Sequence, residues 1–312
     1  MRRYFLQKLL SLIPVLVGIS LIAFILGVIS PGDPAELALS QGGAEVTPER
    51  LAETREELGL NDPLYTQYFR WLAGAVHGNL GTSIKTKRPV SGELALRLPI
   101  TLRLAAYSVS FACTFGLLVG ILSAAWKDKP FDWIIKGLVN VMLSFPAFWL
   151  ALLMILLFAE TLGWLPTSGI GGLRHMLMPS LVLSCAVGAE LARLVRASVV
   201  AEFGKQYYHA ASARGIGKAA LILRSALPNA ILPTITMLGN YLGGILGGSV
   251  VVETLFALPG IGSYAIDAIY ARDYTALQGY VLLTGFLFVA ITSAVDIICM
   301  LFDPKIRLGG NG

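Results

Sequence analysis

Residues 103–127 read RLAAYSVSFACTFGLLVGILSAAWK, and nothing between Arg103 and Lys127 carries a charge. A helix needs roughly 20 apolar residues to cross a hydrocarbon core about 30 Å thick. This stretch, read as a span over Leu104–Ala125, has that length. Working outward, the pattern recurs at Leu9–Ile29 before it and at Gly137–Ala159, Met176–Ala189, Ala226–Val252 and Ala276–Val295 after it. Met176–Ala189 is short and is expected to continue through Glu190 and Arg193 as a helix leaving the membrane. The expected fold class is all-α, a polytopic membrane protein with six transmembrane helices.

Composition agrees. Of the 312 residues 55% are hydrophobic and only 14% charged, against about 25% charged in soluble domains. The net charge of +5 could suggest nucleic acid, but no Lys/Arg stripe with interleaved aromatics occurs, so no nucleic-acid partner is expected. The excess sits beside apolar runs, which is a topology signal. Cys113, Cys185 and Cys299 each lie within an apolar run, and none has metal-binding spacing. Met1, Arg2, Arg3 and Lys8 ahead of Leu9–Ile29 resemble a signal peptide. The run exceeds a usual h-region, so it reads as a retained span.

Basic residues alternate from loop to loop. Arg2, Arg3 and Lys8 open the chain, and Lys127, Lys129 and Lys136 follow the second span. Arg193, Arg196, Lys205, Arg214, Lys218 and Arg224 follow the fourth, and Lys305 and Arg307 close the chain. The opposite loops, 160–174 and 253–273, contain only Arg174 and Arg272. The positive-inside rule places both termini in the cytoplasm of a plasma (inner) membrane protein. The expected organisation is an N-terminal transmembrane helix over 1–30 and an external loop region over 31–94. A transmembrane domain over 95–303, with a cytoplasmic loop at 201–228, and a cytoplasmic tail over 304–312 complete it. Within the external region Thr47-Pro48-Glu49 reads as a helix start, with Thr47 as N-cap, running to about Leu58 and stopping at Gly59.

Few residues carry recognisable chemistry. No phosphate-binding G-x-x-x-x-G-K-[ST] loop occurs: Ala219 follows Gly217-Lys218, and Ser212 stands in the place of the first glycine. His77, His175 and His209 are scattered, and no acidic pair lies in mid-span. These features argue against an intramembrane enzyme and an ion-coupled carrier. Glu190 and Arg193 could pair on one helix face or simply be solvated. On the fifth span Gly239, Gly243 and Gly247 recur at four-residue spacing beside Asn240; Gly116 and Gly120 do so on the second. Such spacing suits close helix packing, within the chain or at a path or subunit interface.

The 190–224 loop is basic and helical in pattern, and it is suited to project as a knob for a soluble partner. Its Ala210-Ala211, Gly215 and Leu227-Pro228 resemble the Glu-Ala-Ala loop of binding-protein-dependent ABC permeases, with His209 in place of the Glu. The resemblance extends along the chain. Gly32-Asp33-Pro34, Gly59-Leu60-Asn61-Asp62-Pro63, Gly78-Asn79-Leu80-Gly81 and Leu98-Pro99-Ile100-Thr101 are similar to the peptide/nickel permease family. So are Ala192–Ser198, Glu253-Thr254-Leu255-Phe256, Leu258-Pro259-Gly260-Ile261-Gly262, Arg272-Asp273-Tyr274 and Asp303–Arg307. The order of these motifs matches the B-type subunit.

The resemblance implies a type I ABC importer permease fold and a subunit that binds no cofactor. It implies as partners a second homologous permease, two ATP-binding subunits carrying ATP and Mg, an extracytoplasmic solute-binding protein and the lipid bilayer. His209, Ala210, Ala211, Gly215, Leu227 and Pro228 would form the ATPase-coupling loop. Asn240, Gly239, Gly243 and Gly247 would line a path or pack helices. Glu253, Pro259, Gly260 and Asp273 would lie at the external mouth. The short 160–174 connection, with Trp164-Leu165-Pro166 and Gly171-Gly172, resembles nickel and metallophore permeases. Nickel, free or chelated, is therefore the expected cargo, with di- or oligopeptides as the alternative.

Overall fold

The computed structural model describes residues 2–29, 33–41 and 46–302. Among these, regular structure is helical apart from one bridge between Thr82 and Pro89. The helices are α1 (Arg2–Ile29), α2 (Pro34–Gln41), α3 (Pro48–Glu57), α4 (Leu64–Val76), α5 (Val90–Ala125), α6 (Pro130–Ser144) and α7 (Ala147–Met154). They continue with α8 (Leu173–Glu202), α9 (Gln206–Ala213), α10 (Lys218–Leu221), α11 (Leu227–Gly248), α12 (Val250–Leu255), α13 (Ile261–Tyr270) and α14 (Tyr274–Phe302). Two π-helical turns, Ile155–Thr161 and Ile222–Ala226, extend α7 and join α10 to α11.

Local signals account for several boundaries. Thr47 Oγ1 accepts from the Arg50 amide at 3.4 Å, Pro48 opens α3, and Gly59 follows it at φ +64°. That is the expected cap, start and stop, because the left-handed region is costly for residues other than glycine. Arg193 and Glu190 lie within the 30-residue α8, as the reading of a helix leaving the membrane requires.

Among the described residues, four helices are long and apolar enough to cross a membrane: residues within α1, α5, α8 and α14. The third expected span, Gly137–Ala159, is not one straight helix. It is the pair Pro130–Ser144 and Ala147–Thr161, bent by 100°, and counting it as one span raises the number to five. The cause is Pro146: Phe145 before it is extended (φ −83°, ψ 125°), the conformation that a following proline ring enforces. The sixth expected span, Ala226–Val252, is helical as α11 and α12 but interrupted at Ser249. Over its 22 residues α11 carries no Asp, Glu, Lys or Arg.

The chain divides into two compact units. One comprises Met1–Ile100 with Gly260–Val289. Its core gathers Val90 and Leu94 of α5, Ile261, Tyr264, Ala265 and Ala268 of α13, and Ala276 and Tyr280 of α14. The other comprises Thr101–Pro259 with Ala290–Gly312, and α8 is its axis: over half of that helix's apolar window is buried. Close approach there depends on glycine. A Cβ on Gly116 would lie 2.7 Å from Leu191, and one on Gly120 would lie 2.7 Å from the Ala192 carbonyl oxygen. The four-residue spacing on α5 therefore serves packing against α8 within the chain.

Candidate functional site

The 201–228 loop folds as a helix–turn–helix in the second unit. It begins where α8 ends at Glu202, a carboxylate only 6% exposed. Lys205 Nζ donates to Glu202 Oε1 at 2.6 Å, and the Tyr207 hydroxyl donates to Oε2 at 2.5 Å. Both partners lie just downstream, so the carboxylate draws the chain back into a tight turn and starts α9. Phe203 packs on Tyr208, with ring centroids 5.0 Å apart, and burial pushes the Tyr208 phenol up from its ordinary value.

Gly215 ends α9. The Ile216 amide donates to the Ala211 carbonyl and the Gly215 amide to Ser212, with Gly215 at φ +83°. This is the Schellman stop, whose left-handed position favours glycine. A Cβ on Gly215 would meet nothing within 4 Å, so the requirement is backbone conformation and not space. Beyond it Lys218 Nζ donates to the Ala125 carbonyl at 2.7 Å and lies 5.6 Å from the Phe203 ring centroid. Ala125 is the last residue of α5, where a cation complements the helix dipole and fills an open carbonyl.

These ties leave one face of α9 outward. His209, Ala210, Ser212 and Ala213 are exposed, Tyr207 and Ile216 are largely so, and Ala211 faces inward. Leu227 is half-buried and Pro228 exposed, with the proline in the first turn of α11 where its missing N–H costs nothing. The coupling residues thus separate into a displayed group (His209, Ala210) and a framing group (Ala211, Gly215, Leu227, Pro228).

On α11 the small residues also separate. A Cβ on Gly239 would lie 2.2 Å from Val295 of α14, and Gly243 is likewise buried. Asn240, Gly244 and Gly247 are exposed, and a Cβ on either Gly244 or Gly247 meets nothing within 4 Å. One face of the helix serves the chain's own packing. The other presents Asn240 between glycines.

The residues expected at the external mouth are more deeply placed. Glu253 is fully buried and accepts from Thr101 Oγ1 and Ser249 Oγ, each at 2.8 Å. Pro259 is half-buried and Gly260 buried. In the first unit Gly260 is the N-cap of α13. Asp273, 1% exposed, caps α14 through the Ala276 amide at 3.1 Å. Its other oxygen accepts from Ser83 Oγ at 2.5 Å and the Lys85 amide at 3.2 Å. On α13 burial pushes the Tyr264 phenol up to about 12, with Asp273 and Glu93 adding to the shift, so the phenol stays neutral. Arg97 lies 4.9 Å from the centre of that ring.

Sequence comparison places these features. Residues 116–308 match the family described as binding-protein-dependent transport system inner membrane component, and residues 1–105 match the N-terminal part of such components. The chain belongs to this permease family. It is 38% identical over 98% of its length to the glutathione transport system permease protein GsiC of Escherichia coli, covering 99% of that protein. It is 40% identical, with the same coverage, to the protein of that name from Pectobacterium atrosepticum. A solved structure of the MetNI methionine ABC transporter in inward-facing form aligns with TM-score 0.58 at 21% identity, over 67% of this chain and 96% of that one. An amino acid ABC transporter structure aligns with TM-score 0.52 at 20% identity, over 70% and 95%. The fold is that of an ABC importer permease, and the chain is a non-catalytic membrane subunit of such a transporter.

One part of the permease had no signal in the sequence. Asp132 of α6 is fully buried and takes a bidentate grip from Arg196 of α8, at 2.9 Å from Nε and 2.7 Å from Nη2. Ser123 Oγ at 2.5 Å, the Asp128 amide at 3.1 Å and Lys136 Nζ at 3.5 Å complete its shell. This pins the 127–136 loop to the helix that leads into α9. Arg196 lies 64 residues from its partner, beyond any local pattern. Glu190 and Arg193, read as a possible pair, are both exposed.

Proposed function

We propose that this permease forms half of the translocation path for a short, glutathione-like peptide, driven by ATP hydrolysis on partner subunits. The observation that carries the cargo is the 38–40% identity over nearly the whole chain to permeases named for glutathione transport. This identity supports a peptide over nickel. The nickel reading keeps one specific support, the short 160–174 connection between the second half of the bent pair and α8.

In this reading both termini are cytoplasmic and the α9 face docks on an ATP-binding subunit. The exposed helix of small residues, flanked by Tyr207 and Ile216, can enter a groove closely, and the carboxylate and lysine ties beneath it transmit movement to α8 and α5. Two ATP-binding subunits, a second homologous permease facing Asn240, and an extracytoplasmic solute-binding protein complete the importer. The N-terminal helix (1–30), external region (31–94), transmembrane domain (95–303) and tail (304–312) keep the roles assigned above. The path residues would be Asn240 and the outward glycines of α11. Glu253, Pro259, Gly260 and Asp273 would shape the mouth from beneath its surface.

Uptake of radiolabelled glutathione, a dipeptide and nickel in a deletion strain tests the cargo. Lost glutathione uptake with nickel uptake intact supports the proposal. The reverse result returns the cargo to nickel and leaves the fold and family untouched.

A further inference from the structure

Helix α4 belongs to the region expected outside the bilayer, yet it is tied to the interior of a membrane span. Tyr68 is buried, and its hydroxyl is 2.8 Å from Ser20 Oγ of α1. Phe24 of α1 meets the Tyr68 ring edge-on with centroids 5.4 Å apart and lies 6.0 Å from the Trp71 ring. Ser20 and Phe24 fall inside Leu12–Ile29, the window of α1 that qualifies it as a span. At about 1.5 Å per residue Ser20 is roughly 13 Å below Ile29, near the middle of that window. A helix bonded at that depth cannot stand clear of the membrane in water.

The opposite side of α4 is apolar too. Tyr65 (68% exposed), Phe69 (64%), Ala73 and Val76 (77%) recur at positions i, i+4, i+8 and i+11, a single stripe along the helix. The helix contains no acid, and Arg70 is its only charged residue; the arginine is paired with Asp62 just ahead of the helix. Gln67 Nε2 closes the same end by donating to the Leu60 and Asp62 carbonyls. Polar groups thus gather near the N-terminus and the remainder is apolar on both faces. At the depth of Ser20, α1 itself exposes Leu21, Ile22 and Ile25, so the surroundings there are apolar.

We propose that α4 is a membrane-inserted helix whose Tyr65–Phe69–Val76 stripe is covered by lipid acyl chains. It inserts in the leaflet where α1 ends, with the Arg70 side chain reaching from the buried helix toward the headgroups with its partner Asp62. A lipid-facing amphipathic helix packed on a span is a stable way to bury such a stripe. It would fix the tilt of α1.

The test uses the whole importer in phospholipid vesicles, with the three native cysteines replaced by alanine and Phe69→Cys, Val76→Cys or Glu53→Cys introduced singly. The exposed Glu53 site on α3 is the water-facing reference. Lipid insertion predicts labelling by a membrane-impermeant maleimide at least about tenfold slower at 69 and 76 than at 53. It also predicts that a bimane at 69 is quenched by spin-labelled acyl chains. Labelling at the reference rate overturns the proposal. So does shielding without lipid quenching, which would mean that a protein partner covers the stripe. If the cysteine-free protein fails to assemble, a bilayer-soluble photolabel on the unmodified importer decides the matter, because peptide 64–76 must carry the label or the proposal falls.

Discussion

Two segments carry motifs that resemble the family, 206–228 and 249–260, and they use their marked residues in opposite ways. The first displays His209 and Ala210 and holds them from the loop's two ends, through the buried Glu202 and through Lys218 and the left-handed Gly215. The second hides its marked residue, with Glu253 fully buried beneath two hydroxyls. A motif thus marks a constrained position without saying whether the constraint is a contact with a partner or the shape of the chain. In the displayed segment, substitutions should affect assembly more than stability. In the buried segment and the anchors beneath both, stability should fail first.

The largest effect is expected at the anchor. Arg196→Ala leaves the Asp132 carboxylate buried with its bidentate partner gone, and breaking such a pair costs about 3–5 kcal/mol. The unfolding midpoint of the purified importer should fall sharply. The double variant Asp132→Leu with Arg196→Met should recover much of the loss, since an apolar pair of similar volume is often neutral. Failure of the double variant to recover would mean that the ion pair itself is needed, and would make this region part of the coupling machinery.

Glu253→Ala comes next. It removes the carboxylate that accepts from the Thr101 and Ser249 hydroxyls, at about 1–3 kcal/mol for a buried hydrogen bond broken from one side, and Glu253→Gln should cost less because it still accepts. If thermal stability is unchanged in Glu253→Ala while transport is lost, the carboxylate acts on cargo or a partner, and the comparison above is wrong for this segment.

The two sides of α11 give a sharper contrast. Gly239→Ala forces a Cβ to within 2.2 Å of Val295 and should cost about 1–3 kcal/mol as overpacking. Gly247→Ala meets open space in this chain and should leave it as stable as before. Any loss in Gly247→Ala should appear only in the assembled importer, as reduced recovery of the second permease. Equal effects at both positions in the isolated chain would end the division of α11 into a packing face and a presented face.

These contrasts show what could be read in advance. Thr47, Pro48 and Gly59 specify α3 because caps and stops are local chemistry, acting over a few residues. Gly215 was legible only through its resemblance to the permease loop motif, and its role as the stop of α9 came from the backbone geometry. The break at Phe145–Pro146 was readable only as a proline, since whether a span bends or ends there depends on what packs around it. The Asp132–Arg196 grip and the Tyr68–Ser20 bond join residues 64 and 48 apart, and no periodicity encodes such distances. The burial of Glu253 was hidden because an acid between apolar runs looks the same whether water or two hydroxyls surround it.

A smaller effect than at the anchor is expected at Gly215, and it separates conformation from contact. Alanine there must hold φ near +83°, which costs an L-residue about 1–2 kcal/mol, whereas asparagine tolerates that region better. Gly215→Ala should therefore loosen the end of α9 and weaken recovery of the ATP-binding subunits, while membrane insertion stays normal. Gly215→Asn should restore most of the recovery despite its larger side chain, because a Cβ at this position meets nothing within 4 Å. His209→Ala, on the displayed face, should leave stability unchanged and alter only binding of the ATP-binding subunits. If asparagine at 215 is as damaging as alanine, the glycine is required for close approach of the partner, and the boundary between display and frame in this loop moves by one residue toward the partner.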